Sequence, residues 1–317
     1  MQPAISRRNL LAGGAALLSR PAPARTADDT AARRLKVAIF SKHLQFLQGE
    51  ALAKAAADIG FDGIDITVRK GGHVQPERVQ QDLPPLVRII RRHGLGVPMI
   101  TADIVDAQSP FAADILRTMA DLEIRNYRWG GFRYVAGQPY PAQLDRMKPR
   151  IAQLAALNSR YHACAMYHTH SGTGVVGASI WDLYILLKDF DPHAVGVNYD
   201  VGHAVIEGGV GGWIDSFHIT GPHLRGIAVK DFIWARDSTG NWKPQWKPLG
   251  EGMVHLPQFF TMVAEAGFAG PLQLHFEYRL GGETNTSGTG VTDPALVFTD
   301  MKRDLAKLRG YLAEAHL

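Results

Sequence analysis

The sequence predicts an α/β chain closed into a (β/α)8 barrel, and three observations predict it. Short apolar runs alternate with longer amphipathic stretches eight times, the pattern of parallel βαβ units. The alternation runs over about 280 residues, a barrel's usual ~250 plus some insertion. The first predicted strand leads into Ser41-Lys42-His43-Leu44, without the Gly-rich phosphate loop of a doubly wound open sheet.

The elements follow in order. Leu35–Phe40 is a short apolar strand, and Gly49–Ile59 is Ala-rich and helical. Gly63–Val68 is rich in β-branched residues, and Pro76–His93 opens as a helix does, on a proline. Gly96–Thr101 precedes a helical Ser109–Ala120, and Ile124–Trp129 precedes a helical Pro141–Asn158. Tyr161–His168 leads to a shorter helix at Ser179–Lys188, and Ala194–Asp200 to Trp213–Thr220. Leu224–Lys230 is followed by Leu256–Ala266, and Pro271–Glu277 by a closing helix, Asp293–Ala315. No break in composition marks a second domain, so one barrel over 35–317 is expected.

Ahead of it, residues 1–24 read as a twin-arginine export signal. Ser6-Arg7-Arg8-Asn9-Leu10-Leu11 is backed by a short apolar stretch to Leu18, and Ala22-Pro23-Ala24 offers small residues for cleavage. The apolar run is far short of the ~20 residues of a membrane anchor. Residues 25–34 read as a short flexible segment. A periplasmic or secreted location follows as an expectation. Cys164 is the only cysteine, so no internal disulfide forms, which suits a protein folded before export. The net charge is +4; without Arg7, Arg8 and Arg20 it is 4 − 3 = +1, which gives no reason to expect nucleic acid as a partner. Oligomeric state stays open, with exposed barrel helices able to pair into a homo-oligomer.

Two connections are long, and both follow strands, so both fall on the face where barrels build their sites. Asp231–Val254 carries Trp234, Trp242 and Trp246, and Gly281–Gly290 is rich in Gly, Thr and Ser. One tryptophan alone would merely pack its loop onto the barrel; three together suggest an apolar platform for a sugar ring. Polar residues gather at the strand ends. Side chains alternate along a strand, so His168 with His170, Asn198 with Asp200, Ala228 with Lys230, and His275 with Glu277 each share a face. His203 follows Asp200, and His43 and His73 follow the first and second strands. A lone histidine is more often a hydrogen-bonded core residue than a ligand. Closure, however, brings several such groups to one mouth, where they are costly unless paired or bound to a metal.

These residues resemble a known family. Asp200-Val201-Gly202-His203 resembles the sixth-strand D-x-x-H element of the xylose-isomerase-like TIM barrel superfamily of sugar isomerases, epimerases and related endonucleases. Lys230-Asp231 resembles its strand-seven K-D pair, and Glu277 its final-strand glutamate. The resemblance implies a divalent metal (Mn, Zn, Fe or Co) at His168, Asp200 and Glu277, and proton transfer beside a sugar carbonyl. It departs in two places: His168-Thr169-His170 stands where relatives have E-x-H, and Ala228 where they have a further histidine. A site without metal, in which Lys230 supplies the positive charge, is the alternative.

The function expected on this basis is a sugar isomerase or epimerase with a small carbohydrate as partner. Glu277, His168 and Lys230 would be its catalytic groups, and His43, His73, His170, His203, His275 and Trp234 its substrate contacts. Elimination of the C1 substituent of a 3-keto-glycoside is the second reading, and a non-catalytic carbohydrate-binding barrel the third. An endonuclease is disfavoured, because its multi-zinc ligand set is unmatched and no basic stripe is visible.

Overall fold

A computed structural model describes residues 34–282 and 293–317. Eight parallel strands close into a barrel: β1 (Val37–Phe40), β2 (Gly63–Val68), β3 (Ile100–Ala102), β4 (Asn126–Trp129), β5 (Cys164–His168), β6 (Val195–Asp200), β7 (Leu224–Val229) and β10 (Leu272–Leu274). β1 pairs with both β2 and β10, Val37 against Leu272 and Ala38 against Gly63, which seals the sheet and leaves it no edge.

The helices wrap the barrel with one apolar face inward. In α1 (Gly49–Ile59), Leu52, Ala53, Ala55, Ala56 and Ile59 are buried, the spacing of one helical face. Gly60 ends it at φ 105°, a left-handed position that glycine takes without strain. The closing helix α9 (Pro294–Glu314) buries Val297, Met301, Leu305, Leu308 and Leu312. Each such leucine contributes about 1.5–3 kcal/mol of burial. Between them come α2 (Val79–Arg92), α3 (Ala112–Asp121), α4 (Tyr140–Arg160), α5 (Ile180–Leu187), α6 (Val201–Gly208), α7 (Gly212–Thr220) and α8 (Leu256–Glu265).

Two features differ from expectation. The segment read as an irregular connection after β7 is an antiparallel ribbon, β8 (Asp231–Arg236) and β9 (Trp242–Lys247). His203, placed by sequence in a turn, lies in the first turn of α6, because the Asp200 side chain accepts its backbone N–H and caps the helix. The Gly/Thr/Ser-rich connection lies mostly outside the described residues, as do residues 1–33. No helix of the described residues is long and apolar enough to cross a membrane.

Candidate active site at the carboxyl ends of the strands

Strand alternation places the site. Asn198 on β6 and Gln273 on β10 meet at 3.3 Å although β7 lies between those strands, so the contact crosses the barrel interior. Gly226 on β7 permits this, since a Cβ there would stand 2.7 Å from Asn198 Oδ1 and 3.0 Å from Met166 Sδ. Two residues further along each strand, on the same face, Met166 gives way to His168, Asn198 to Asp200 and Gln273 to His275. The polar mouth therefore sits directly on a filled interior.

At the mouth, one ligand atom each from His168, Asp200 and His275 lies within 4.8 Å of the others. Asp200 Oδ2 is 3.6 Å from His168 Nε2, 3.9 Å from His275 Nδ1 and 3.1 Å from Lys230 Nζ. Oδ1 accepts the His203 N–H at 3.0 Å, while Oδ2 is sealed from solvent without a well-directed hydrogen bond. Burial raises the Asp200 pKa, and Lys230 works against that. Burial holds both imidazoles neutral, well below their ordinary value, with neighbouring cations, Arg128 for His168 and Lys230 for His275, adding to the effect.

Lys230 is the hub. Its Nζ also lies 2.7 Å from His203 Nε2, 3.9 Å from Glu277 Oε1 and 4.3 Å from the Trp246 ring centroid. An ammonium only donates, so His203 accepts at Nε2 and its Nδ1–H points at Ser171 Oγ, 2.8 Å away. The same reasoning fixes His170, whose Nε2 accepts from Arg128 at 3.2 Å and whose Nδ1 donates to the His168 carbonyl at 3.3 Å. Glu277 is more open, with 28% of its side chain exposed. Burial works to raise its pKa, but Lys230 and the other basic groups around it outweigh this, and it lies below the ordinary carboxylate value.

A sequence profile described as xylose isomerase-like TIM barrel matches residues 53–291. The chain belongs to this family. Among solved structures it is similar to D-psicose 3-epimerase from Clostridium cellulolyticum H10, solved with D-tagatose, at TM-score 0.65 and 13% identity, covering 88% of this chain and 99% of that one. It is also similar to 3-keto-D-glucoside 4-epimerase from E. coli (TM-score 0.60, 14% identity, 87% and 100% covered) and to an L-ribulose 3-epimerase (0.62, 15%, 89% and 95%). At these identities the likeness is one of fold. No curated protein sequence matches the chain.

Within this xylose isomerase-like barrel, the structure sorts the residues that sequence singled out. His168, Asp200, His203, Lys230, His275 and Glu277 converge, and His170 borders them. His275, expected to touch substrate, lies with His168 and Asp200 as the third clustered donor, and Glu277, expected as a metal ligand, lies beside Lys230. His43 lies behind His275, with ring centroids 6.0 Å apart, and its Nε2 accepts the Phe276 N–H at 3.1 Å; it braces the segment that carries His275 and Glu277. His73 is not part of the cluster: its ring nitrogens lie 3.0 Å from Thr67 Oγ1 and 3.1 Å from the Leu47 carbonyl. Trp234 sits further out on the ribbon, 39% exposed and edge-on to Phe232, while Trp246 covers Lys230 and His203. Arg128 and Ser171 are the contributors that sequence reasoning missed, while Asp231 and Trp246, noted in the K-D pair and in the tryptophan platform, had been given no role of their own. Arg128 carried a usable signal, an arginine one residue from the end of a predicted strand.

The donor set fits a divalent ion. Two neutral imidazoles and a carboxylate oxygen suit Zn, Mn, Fe or Co, and the sealed Oδ2 lacks the hydrogen bond a resting carboxylate takes. Asn198 lies 3.1 Å from His168 Nδ1, and its amide, with a donor end and an acceptor end, can serve either tautomer of that ring.

Proposed function

We propose that this barrel removes a proton from the carbon next to a sugar carbonyl, isomerising or epimerising the sugar. The observation that carries the reading is the pairing of an open, ionised Glu277 with a buried Lys230 whose Nζ lies 3.9 Å from it. Glu277 takes the proton, and the C–H electron pair moves into the carbonyl to give an enediolate. Lys230, itself buried, donates to the oxygen where negative charge develops. His203, between Lys230 and Ser171, holds the ammonium in place and connects it to a hydroxyl. Return of the proton to the neighbouring carbon isomerises the sugar; delivery of a proton to the same carbon by a donor on the face opposite Glu277 epimerises it. His168, whose protonated form is strongly disfavoured, serves as a ligand rather than as a base. A divalent ion held by His168, Asp200 and His275 would polarise the sugar oxygens.

Similarity of fold to sugar epimerases supports a carbohydrate substrate, and the arginine pair at Arg7-Arg8 supports export. The test is product analysis of ketoses and 3-keto-glycosides incubated with the wild type and with Glu277→Gln. Epimer or isomer formation that falls at least a hundredfold in a folded Glu277→Gln variant is the expected result. Release of the C1 group would make the enzyme a lyase. Thermal stabilisation by sugar without any product would make it a binding protein.

A further inference from the structure

Across the mouth from Lys230, a cavity of about 170 Å³ opens beside His168 and His170, walled by Arg69 and Arg128. We infer that these two guanidiniums form a subsite for an anionic group on the sugar, a carboxylate or a phosphate, so that the substrate is an acidic or phosphorylated monosaccharide. The inference rests on the sugar reading above and adds the substrate's charge.

Both guanidiniums lie 5.6 Å from the centroid of the Phe40 ring, which holds them on the same wall. Among the described residues neither forms an ion pair with a carboxylate, and the one hydrogen bond of Arg128 goes to His170 Nε2. A guanidinium carries five N–H groups, so most of the donor fork of Arg128 is left for the cavity. Two carboxylates are near. Asp65 is buried beneath, occupied by the Thr101 hydroxyl at 3.0 and 2.8 Å, and burial pushes its pKa up to about 7, so it offsets the arginines only in part. Asp103 is exposed at the rim, where solvent screens it. Drawing an unpaired guanidinium out of water is costly, and an anion that takes both forks in bidentate fashion offsets that cost. The solved relatives named above have neutral sugars in their names. The anionic end then sits on the β2–β4 side of the mouth, and the reacting carbon sits toward Lys230 and Glu277.

The experiment is calorimetric titration of the full chain with D-glucuronate, D-glucose 6-phosphate and D-glucose, repeated on Arg69→Gln and Arg128→Gln. The expected result is at least tenfold tighter binding of one anionic sugar than of glucose, the arm that binds identifying carboxylate or phosphate. In both variants that anionic-to-neutral ratio falls at least tenfold. Arg69, partly open to solvent, decides the matter if Arg128→Gln does not fold. Equal affinity for all three sugars, or a ratio unchanged in the variants, overturns the subsite. Proton exchange into neutral ketoses without anionic preference would remove the subsite and leave the proton-transfer reading standing. Anionic preference without exchange into any sugar would do the reverse.

Discussion

Asp200 concentrates the account at the scale of single residues. One oxygen caps α6 and the other faces two imidazoles and an ammonium, so one side chain orders a helix and a charge cluster together. If the cluster is a metal site, elemental analysis of the purified protein will find near-stoichiometric Mn, Zn, Fe or Co, and Asp200→Ala and His275→Ala will each lose it. Equal metal in wild type and variants would place any ion elsewhere. The histidines carry a second prediction. His43, His168, His170, His203 and His275 are all held below their ordinary value of 6.5, by burial before any other cause. The unfolded chain therefore takes up protons below 6.5 that the folded chain refuses. The stability these groups contribute is complete above that pH and is lost as pH falls, by up to about 1.4 kcal/mol per pH unit for each fully titrating histidine. Among the described residues five carboxylates raised by burial work the other way, Asp65 to about 7 and Asp182 to about 6 together with Asp200, Asp231 and Asp304, but the lowered histidines number seven once His73 and His223 are counted. The thermal midpoint should drop steeply between pH 7 and pH 5, and a flat profile would contradict the neutral cluster. At this scale the sequence was legible where alternation governs facing, as at His168, Asp200, Lys230 and His275. It was not legible for His73, because nothing near Gly71-Gly72 indicates that Thr67 and Leu47 hold the ring.

Among the elements, the β8–β9 ribbon shows how far pattern reading reaches. Directly paired residues of antiparallel strands share a face, so Phe232, Trp234 and Arg236 lie with Trp246, Pro244 and Trp242 on one side. The aromatic platform expected from three tryptophans is thus a ribbon face that starts over Lys230 at Trp246 and runs outward, with Arg236 above Trp242 at 4.8 Å. The strands themselves were hidden by Pro244, Gly240 and the density of charge, which read as a loop. Asp231 anchors the ribbon next to Lys230: its carboxylate accepts the N–H groups of Phe232 and Val254 at Oδ1 and of Gly250 and Gly252 at Oδ2. A Cβ at Gly252 would overlap that carboxylate. Gly252→Ala should therefore destabilise the protein by about 1–3 kcal/mol in urea denaturation and shift Lys230 enough to reduce turnover. A neutral substitution would show that the anchor does not set the lysine.

For the molecule as a whole, closure does what no single motif does. Groups 32 to 107 residues apart in sequence, His168, Asp200 and His275, meet because β5, β6 and β10 end on the same rim. The barrel was readable because the same alternation repeats through the chain, so a boundary error in one unit does not alter the count. The gathering of like charges on one wall, as of Arg69 and Arg128, depends on side chains from different strands and leaves no trace in spacing. Export belongs to this scale as well. Replacing Arg7 and Arg8 by lysines should leave the chain unprocessed in the cytoplasm, which fractionation and intact-mass measurement would read. Unchanged export would refute the twin-arginine assignment.

Proton abstraction is the central claim, and solvent isotope exchange tests it most directly. A panel of neutral and anionic ketoses and 3-keto-sugars, incubated with the protein in D2O and followed by proton NMR, should show loss of the C–H signal next to the carbonyl of a bound sugar. That exchange should vanish in Glu277→Gln while the variant keeps its fold. Exchange that persists undiminished in Glu277→Gln would contradict the account.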